Sequence, residues 1–154
     1  MAGYDIGIDL GTSTVTAFVA GRGIVLREDN SICYDARSDE FVALGNAAGK
    51  MFGKAPDSYV LKRPISDGVI SDFTVMADIL SRFIIKICKN SIFRPNVLIS
   101  APSCSTMLEK KTVIEAACAA GAGKVHLIDE PVVAALGAGL SIEHPHGVMV
   151  IDLG

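Results

Sequence analysis

The residues best suited to chemistry lie in one short run, Asp9-Leu10-Gly11-Thr12-Ser13-Thr14. A carboxylate stands there beside a glycine and three hydroxylated residues. Glycine lets a backbone come close to a ligand, and the amides of Gly11 to Thr14 can converge on an anion. Asp9 can hold a divalent ion next to phosphate oxygens, directly or through water. The same residues also suit an ordinary hairpin turn in which Asp9 satisfies turn amides, and the run alone leaves both readings open. The second acid of interest is Glu130, which precedes Pro131 at a strand-to-helix junction. Its structural role would be a carboxylate at a helix N-terminus, with Asp129 as the cap. Its chemical role would be to position or deprotonate a water attacking a γ-phosphate.

Other motifs carry less. Gly121-Ala122-Gly123-Lys124 ends like a P-loop, but Val125 stands where Ser or Thr is needed, and the stretch leads from helix into strand. It is a helix-ending turn. No G-x-G-x-x-G follows a strand, and Ser100-Ala101-Pro102-Ser103 has no obvious His partner. Cys33, Cys88, Cys104 and Cys118 form no C-x-x-C pair and have no His at ligand spacing, so they are expected to be reduced, mostly packed thiols. His144-Pro145-His146 reads as surface rather than a metal site. Ile92-Phe93 places two large apolar residues in a short loop between Lys89 and Arg94. They either tuck into the core or form a small membrane wedge whose flanking cations meet anionic head groups.

The elements that must position these residues follow from periodicity. Ile6, Ile8 and Leu10 alternate with Asp5, Gly7 and Asp9, the period of a strand with one buried face. Val15 to Val19 returns, and Ile24 to Arg27 completes an antiparallel meander. From Glu28 to about Asp72, short apolar pieces separated by polar and Gly/Pro turns suggest a small inserted unit of few strands, with a short helix over Asn46 to Phe52. Met76, Ile79, Leu80, Phe83, Ile84 and Ile87 then form one helical stripe, capped by Asp72 or Thr74. Strand, helix, strand, helix and strand follow: Val97 to Ser100, a helix from the capping box Thr106…Glu109 to Ala120, Val125 to Ile128, a buried helix over Val132 to Leu140, and Val148 to Ile151. This order predicts an α/β fold, a mixed sheet with helices on both faces. One internal echo stands out: Ile8-Asp9-Leu10-Gly11 recurs as Ile151-Asp152-Leu153-Gly154, which suggests a duplicated architecture.

Composition sets the bounds. At 154 residues the chain can bury one sizeable core. Half of the residues are hydrophobic and mean hydropathy is +0.43, so the surplus belongs to a core or to a face that meets something else. No apolar run approaches the ~20 residues that span a bilayer. The net charge of −3 gives no reason to expect nucleic acid. The first residues lack the features of a signal peptide, and Ala2 stands where N-myristoylation needs glycine.

These motifs together resemble the actin-type ATPase superfamily. Ile8-Asp9-Leu10-Gly11-Thr12 is similar to its first phosphate loop, Leu127-Ile128-Asp129-Glu130-Pro131 to the segment carrying its hydrolytic glutamate, and Val150-Ile151-Asp152-Leu153-Gly154 to the start of its second phosphate loop. Within the superfamily the chain resembles the bacterial actin MreB family nearly end to end. Gly23-Ile24-Val25-Leu26, the run from Arg63 to Phe73, and Gly137-Ala138-Gly139-Leu140 with Glu143-His144-Pro145 carry that likeness.

The resemblance implies the first domain of an actin-like (ribonuclease H-like) ATPase, with a mixed five-stranded sheet. Residues 1–30 and 73–147 would form subdomain IA, 31–72 a small inserted subdomain IB, and 148–154 the first strand of a truncated second domain. It implies ATP and Mg2+ as cofactors. Gly11, Thr12, Ser13, Thr14 and Gly154 would meet the phosphates, Asp9 and Asp152 would flank magnesium through water, and Glu130 would orient the attacking water. Ile92 and Phe93 fall where some members carry a membrane loop. The family polymerises with ATP into filaments on the inner face of the cytoplasmic membrane, where they guide cell-wall synthesis and rod shape. The implied location is therefore cytoplasmic and peripherally membrane-associated, with filament subunits, the membrane and the cell-wall synthesis machinery as partners. Ser13-Thr14 departs from the usual Ala-Asn, which a loop working through amides tolerates. With the second loop cut at Gly154, this stretch alone is expected neither to hydrolyse ATP nor to form ordinary filaments. Rival expectations on the same fold are a chaperone-type ATPase and a non-hydrolysing scaffold.

Overall fold

A computed structural model describes residues 5–66, 69–88, 94–143 and 147–151. The alternation in the first strand builds the centre of the molecule. β1 (Asp5–Leu10) turns back through β2 (Thr14–Val19), and β3 (Gly23–Asp29) completes the meander with a register shift between Ala17 and Phe18. The chain leaves this sheet to form a separate three-stranded sheet in the order β5-β4-β6. It consists of β4 (Ile32–Asp35), β5 (Phe41–Leu44), the single-turn helix α1 (Asn46–Gly49) and β6 (Tyr59–Lys62). A two-stranded ribbon, β7 (Ile65–Ser66) and β8 (Val69–Ile70), leads to α2 (Phe73–Ile87). The predicted stripe is the buried face of α2, and of the two candidate caps Asp72 accepts from the Val75 amide at 3.0 Å.

β9 (Asn96–Ala101) then joins β1 in parallel, α3 (Met107–Ala119) follows, and β10 (Lys124–Asp129) joins β9 in parallel before α4 (Glu130–Gly137). The result is the expected mixed five-stranded sheet, in the order β10-β9-β1-β2-β3. Thr106 and Glu109 form the predicted capping box on α3. Gly121, at φ 103°, ends that helix in a backbone conformation that suits glycine.

One face of the sheet carries Ile6, Ile8, Val15, Ala17, Val97 and Ile99 into the main core, where they meet Ile79, Leu80 and Phe83 of α2 and Val113 and Ala117 of α3. The other face is thinly covered. Val133 of α4 lies over part of it, beside Gly7, Asp9, Thr16, Leu98 and Ser100. Phe18 and Leu98 remain 50% and 44% exposed there.

Four expectations need correction. α4 is not buried: only Ala135 is, and Leu136 is 47% exposed. Among the described residues this largely apolar helix packs chiefly on β10 and β9, which leaves much of its surface uncovered. The described part of the run, Val148 to Ile151, forms no strand: its described neighbours are side chains of α4 and Ile142, which offer no extended backbone to complete a hydrogen-bond ladder. Asp129 occupies the N-cap position of α4 but makes no capping hydrogen bond there; its carboxylate pairs with Lys110 Nζ at 3.2 Å instead. Only two of the four thiols are packed, Cys33 fully and Cys88 partly, while Cys104 and Cys118 are exposed. Burial pushes the Cys33 and Cys88 thiols above their ordinary range. The two-residue strands β7 and β8 have no signature in the sequence, since so short a run carries no readable period.

Candidate functional site

Parallel pairing decides where the candidate residues meet. β1, β9 and β10 run in the same direction, with Ile8 opposite Ile99 and Ile99 opposite Leu127. Their carboxyl ends therefore share one edge of the sheet. Asp9 and the turn after Leu10 stand at the end of β1, Ser100 at the end of β9, and Glu130 directly after β10. In open α/β sheets this edge is where ligands bind.

The turn is tight. The Gly11 amide donates to the Thr14 carbonyl at 3.0 Å. A Cβ on Gly11 would lie 2.9 Å from that same oxygen, so a side chain there would push the turn open. The Thr12 and Ser13 amides make no backbone hydrogen bond among the described residues, which suits them to receive an anion. The turn is also held from behind. Asn30, fully buried, donates from Nδ2 to the Gly11 carbonyl at 2.8 Å, and its amide donates to the Ser13 carbonyl at 2.9 Å.

Asp9 is exposed, and its orientation is set from the neighbouring strand. Ser100 Oγ donates to Asp9 Oδ1 at 2.8 Å and accepts from the Leu10 amide at 3.2 Å. One buried hydroxyl thus fixes both the backbone and the carboxylate at the end of β1. Glu130 occupies the first turn of α4, where the helix dipole favours a negative charge. Pro131, also in that turn, needs no amide partner there.

Sequence reasoning did not identify Ser100 or Asn30 as site residues. In sequence Ser100 suggests only a nucleophile without a His partner. A hydroxyl in an otherwise apolar strand, two residues after Leu98 and therefore on the same face, is the signal that was available. Asn30 gave none beyond its place at a strand end. Asp152, Gly154, Ile92, Phe93 and His144 to His146 lie outside the described residues. Among the described residues no group of three or more His, Cys, Asp or Glu side chains clusters as a metal site. No helix among them is long and apolar enough to cross a membrane.

Comparison with known proteins gives a single picture. Residues 3–154 match the family model for MreB/Mbl protein. The chain is 44% identical to the cell shape-determining protein Mbl of Bacillus subtilis and 41% identical to the cell shape-determining protein MreB of Escherichia coli K12. Both alignments cover the whole chain but 46% of the relative, so the chain spans about half the length of these relatives. Among solved structures, MreB5 of Spiroplasma citri bound to ADP matches with a TM-score of 0.82 and 35% identity, over 94% of this chain and 43% of that one. The MamK double helical filament matches at a TM-score of 0.75 but 18% identity, over 90% of this chain and 44% of that one, a likeness of fold alone. The expected fold is therefore present, and the chain belongs to the MreB/Mbl family.

Proposed function

We propose that this chain is the nucleotide-binding first half of an ATP-dependent, filament-forming cell-shape protein. One observation carries the proposal: parallel pairing of β1, β9 and β10 gathers Asp9, the Gly11–Thr14 turn and Glu130 at one sheet edge. The donor set fits a magnesium nucleotide. The Thr12 and Ser13 amides, without a backbone partner among the described residues, are open to phosphate oxygens, and an exposed carboxylate already oriented by Ser100 suits a hydrated Mg2+, which keeps most of its water. The magnesium would offset phosphate charge. Thr12, Ser13 and Thr14 would cradle the phosphates, with Gly11 allowing the close approach. Asp9 would hold a metal-bound water, and Asp152 would do so from the opposite side, with Gly154 beside it. Glu130 would orient the attacking water and accept its proton.

The MreB5 structures of Spiroplasma citri bound to ADP and AMPPNP support this reading by likeness of fold and sequence. Self-association into filaments, division into subdomains over 1–30 with 73–147 and over 31–72, and a second domain starting near 148 rest on the sequence resemblance to the MreB family. Attachment to the inner face of the cytoplasmic membrane through Ile92-Phe93, and work with the cell-wall synthesis machinery, rest on sequence likeness. Replacing both apolar residues by polar ones should then abolish co-sedimentation with liposomes while thermal stability is kept.

The test of the core proposal uses the full natural chain. MgATP binding is followed with a fluorescent analogue, and turnover by phosphate release. Glu130→Ala should bind nucleotide as the wild type does but release phosphate at least ~10-fold more slowly. Absence of MgATP binding by the wild type would overturn the proposal. Unchanged release by the variant would favour a non-hydrolysing scaffold.

A further inference from the structure

We propose that Asn30 is a positioning residue that sets the shape of the Gly11–Thr14 turn and couples it to the segment around α1 in the small sheet. The inference rests on the nucleotide reading of the turn and adds a route by which the small sheet regulates it.

Asn30 is fully buried, yet it is used in an unusual way. Its Nδ2 is committed to the Gly11 carbonyl and its amide to the Ser13 carbonyl, so one residue grips the turn at two points. Its Oδ1 is a buried acceptor without a partner among the described residues. Such an atom is costly, and its cost sets against the gain from the Nδ2 hydrogen bond. Departures of this kind gather at functional positions. What the amide group supplies is a donor fixed beneath the turn.

The residues on either side of Asn30 grip the small sheet. The Asp29 amide donates to Asn46 Oδ1 at 3.0 Å, the Gly45 amide donates to the Ser31 carbonyl at 2.9 Å, and the Ser31 hydroxyl donates to the Gly45 carbonyl at 3.2 Å. The contact is close: a Cβ on Gly49 would lie 1.6 Å from Asp29 Oδ2. Glu28 continues the bracket, accepting from the Asn46 amide and pairing with Lys86 of α2. Residues 28–31 therefore hold α1 on one side and the turn on the other. A shift of the 45–49 segment is transmitted to the Gly11 and Ser13 carbonyls, and ligand at the turn is transmitted back.

The test uses the full natural chain and MgATP. In the wild type, MgATP should slow hydrogen exchange at the Asp29 and Gly45 amides, outside the turn itself. Asn30→Ala removes the donor, and Asn30→Asp keeps the shape but sets an acceptor against the Gly11 carbonyl. Both should bind MgATP about 10-fold more weakly. Both should lose the ligand-dependent slowing at Asp29 and Gly45 while exchange there without ligand is unchanged, which a merely structural role would not produce. Asn46→Ala lies at an exposed end of the chain of bonds and spares the core; it should weaken MgATP binding about threefold through coupling alone. Wild-type binding that neither Asn30 variant alters by more than about twofold, with slowing retained, would overturn the role of Asn30 and leave the nucleotide reading intact. Loss of the wild-type fold in both Asn30 variants together with unaltered binding by Asn46→Ala would overturn the coupling. No MgATP binding by the wild type would overturn both.

Discussion

Ser100 and Asp9 are joined across neighbouring parallel strands by a 2.8 Å hydrogen bond, and the same hydroxyl accepts from the Leu10 amide. Ser100 has its one donor and one of its two acceptor positions in use and is almost wholly buried, which holds its hydroxyl in place. Its effect is to leave Asp9 one orientation. A hydrogen bond to a charged acceptor contributes about 1.5–3 kcal/mol. Ser100→Ala should therefore weaken the Mg2+ dependence of nucleotide binding in the full natural chain by about 10-fold. Ser100→Thr keeps the hydroxyl and suits a strand, and it should restore most of the loss. A Mg2+ titration of fluorescent ATP-analogue binding reads both variants; equal midpoints in wild type and Ser100→Ala would refute the role.

Much of the fold was legible because its signals are local and periodic. Asp5 to Leu10 alternates and is a strand, the stripe from Met76 to Ile84 is the buried side of α2, and Thr106 with Glu109 announces the start of α3. The parts that escaped depend on neighbours distant in sequence. Ser100 meets Asp9 across 91 residues, and Asn30 meets Gly11 across 19, so no local pattern reports either pair. The hydrophobicity of α4 is plain in the sequence, but hydrophobicity does not say which surface covers a helix. The β-prone composition of 148–151 predicts a strand, yet a strand exists only where another strand accepts its ladder, and the described residues there form none.

Tyr34 and Asp78 pin the small sheet to α2 by a second route. The Tyr34 hydroxyl donates to Asp78 Oδ2 at 2.8 Å, Arg82 Nε donates to Asp78 Oδ1 at 2.8 Å, and the Arg82 guanidinium lies 3.7 Å from the centre of the Phe41 ring. Burial, reinforced by the hydrogen bond to Asp78, pushes the Tyr34 phenol well above its ordinary range. The unfolded chain ionises this phenol near pH 10, while the folded chain resists. The associated stability is therefore complete below about pH 10 and is lost as pH rises toward the folded value. Tyr34→Phe should flatten the decline in the urea midpoint between about pH 9 and about pH 11. An identical decline in both proteins would show that other groups cause it.

Phe83 is the largest fully buried side chain among the described residues, set in the cluster that joins α2 to the sheet. Truncation leaves a cavity that close-packed neighbours cannot fill. Phe83→Ala should cost about 3–5 kcal/mol in urea unfolding. Ile85, on the same helix, is 59% exposed, and Ile85→Ala should shift stability by less than about 0.5 kcal/mol. The contrast checks the assignment of the two helix faces within one element.

Gly11 separates the backbone's role from that of the side chains around it. The prospective Cβ would meet the Thr14 carbonyl at 2.9 Å, and that oxygen already accepts the Gly11 amide. The atom in the way belongs to the backbone, so relief requires the turn to widen rather than a side chain to rotate. Widening moves the Thr12 and Ser13 amides apart while leaving the buried faces of β1 and β2 untouched. Gly11→Ala should then lower MgATP affinity by at least about 10-fold in the full natural chain, at a stability cost of about 1–2 kcal/mol. Ser13→Ala changes a side chain but no amide, and binding should stay within about twofold. If Ser13→Ala weakened binding as much as Gly11→Ala, the hydroxyl rather than the backbone cradle would be the binding group. Equilibrium titration with a fluorescent ATP analogue, alongside urea unfolding of each variant, distinguishes these outcomes.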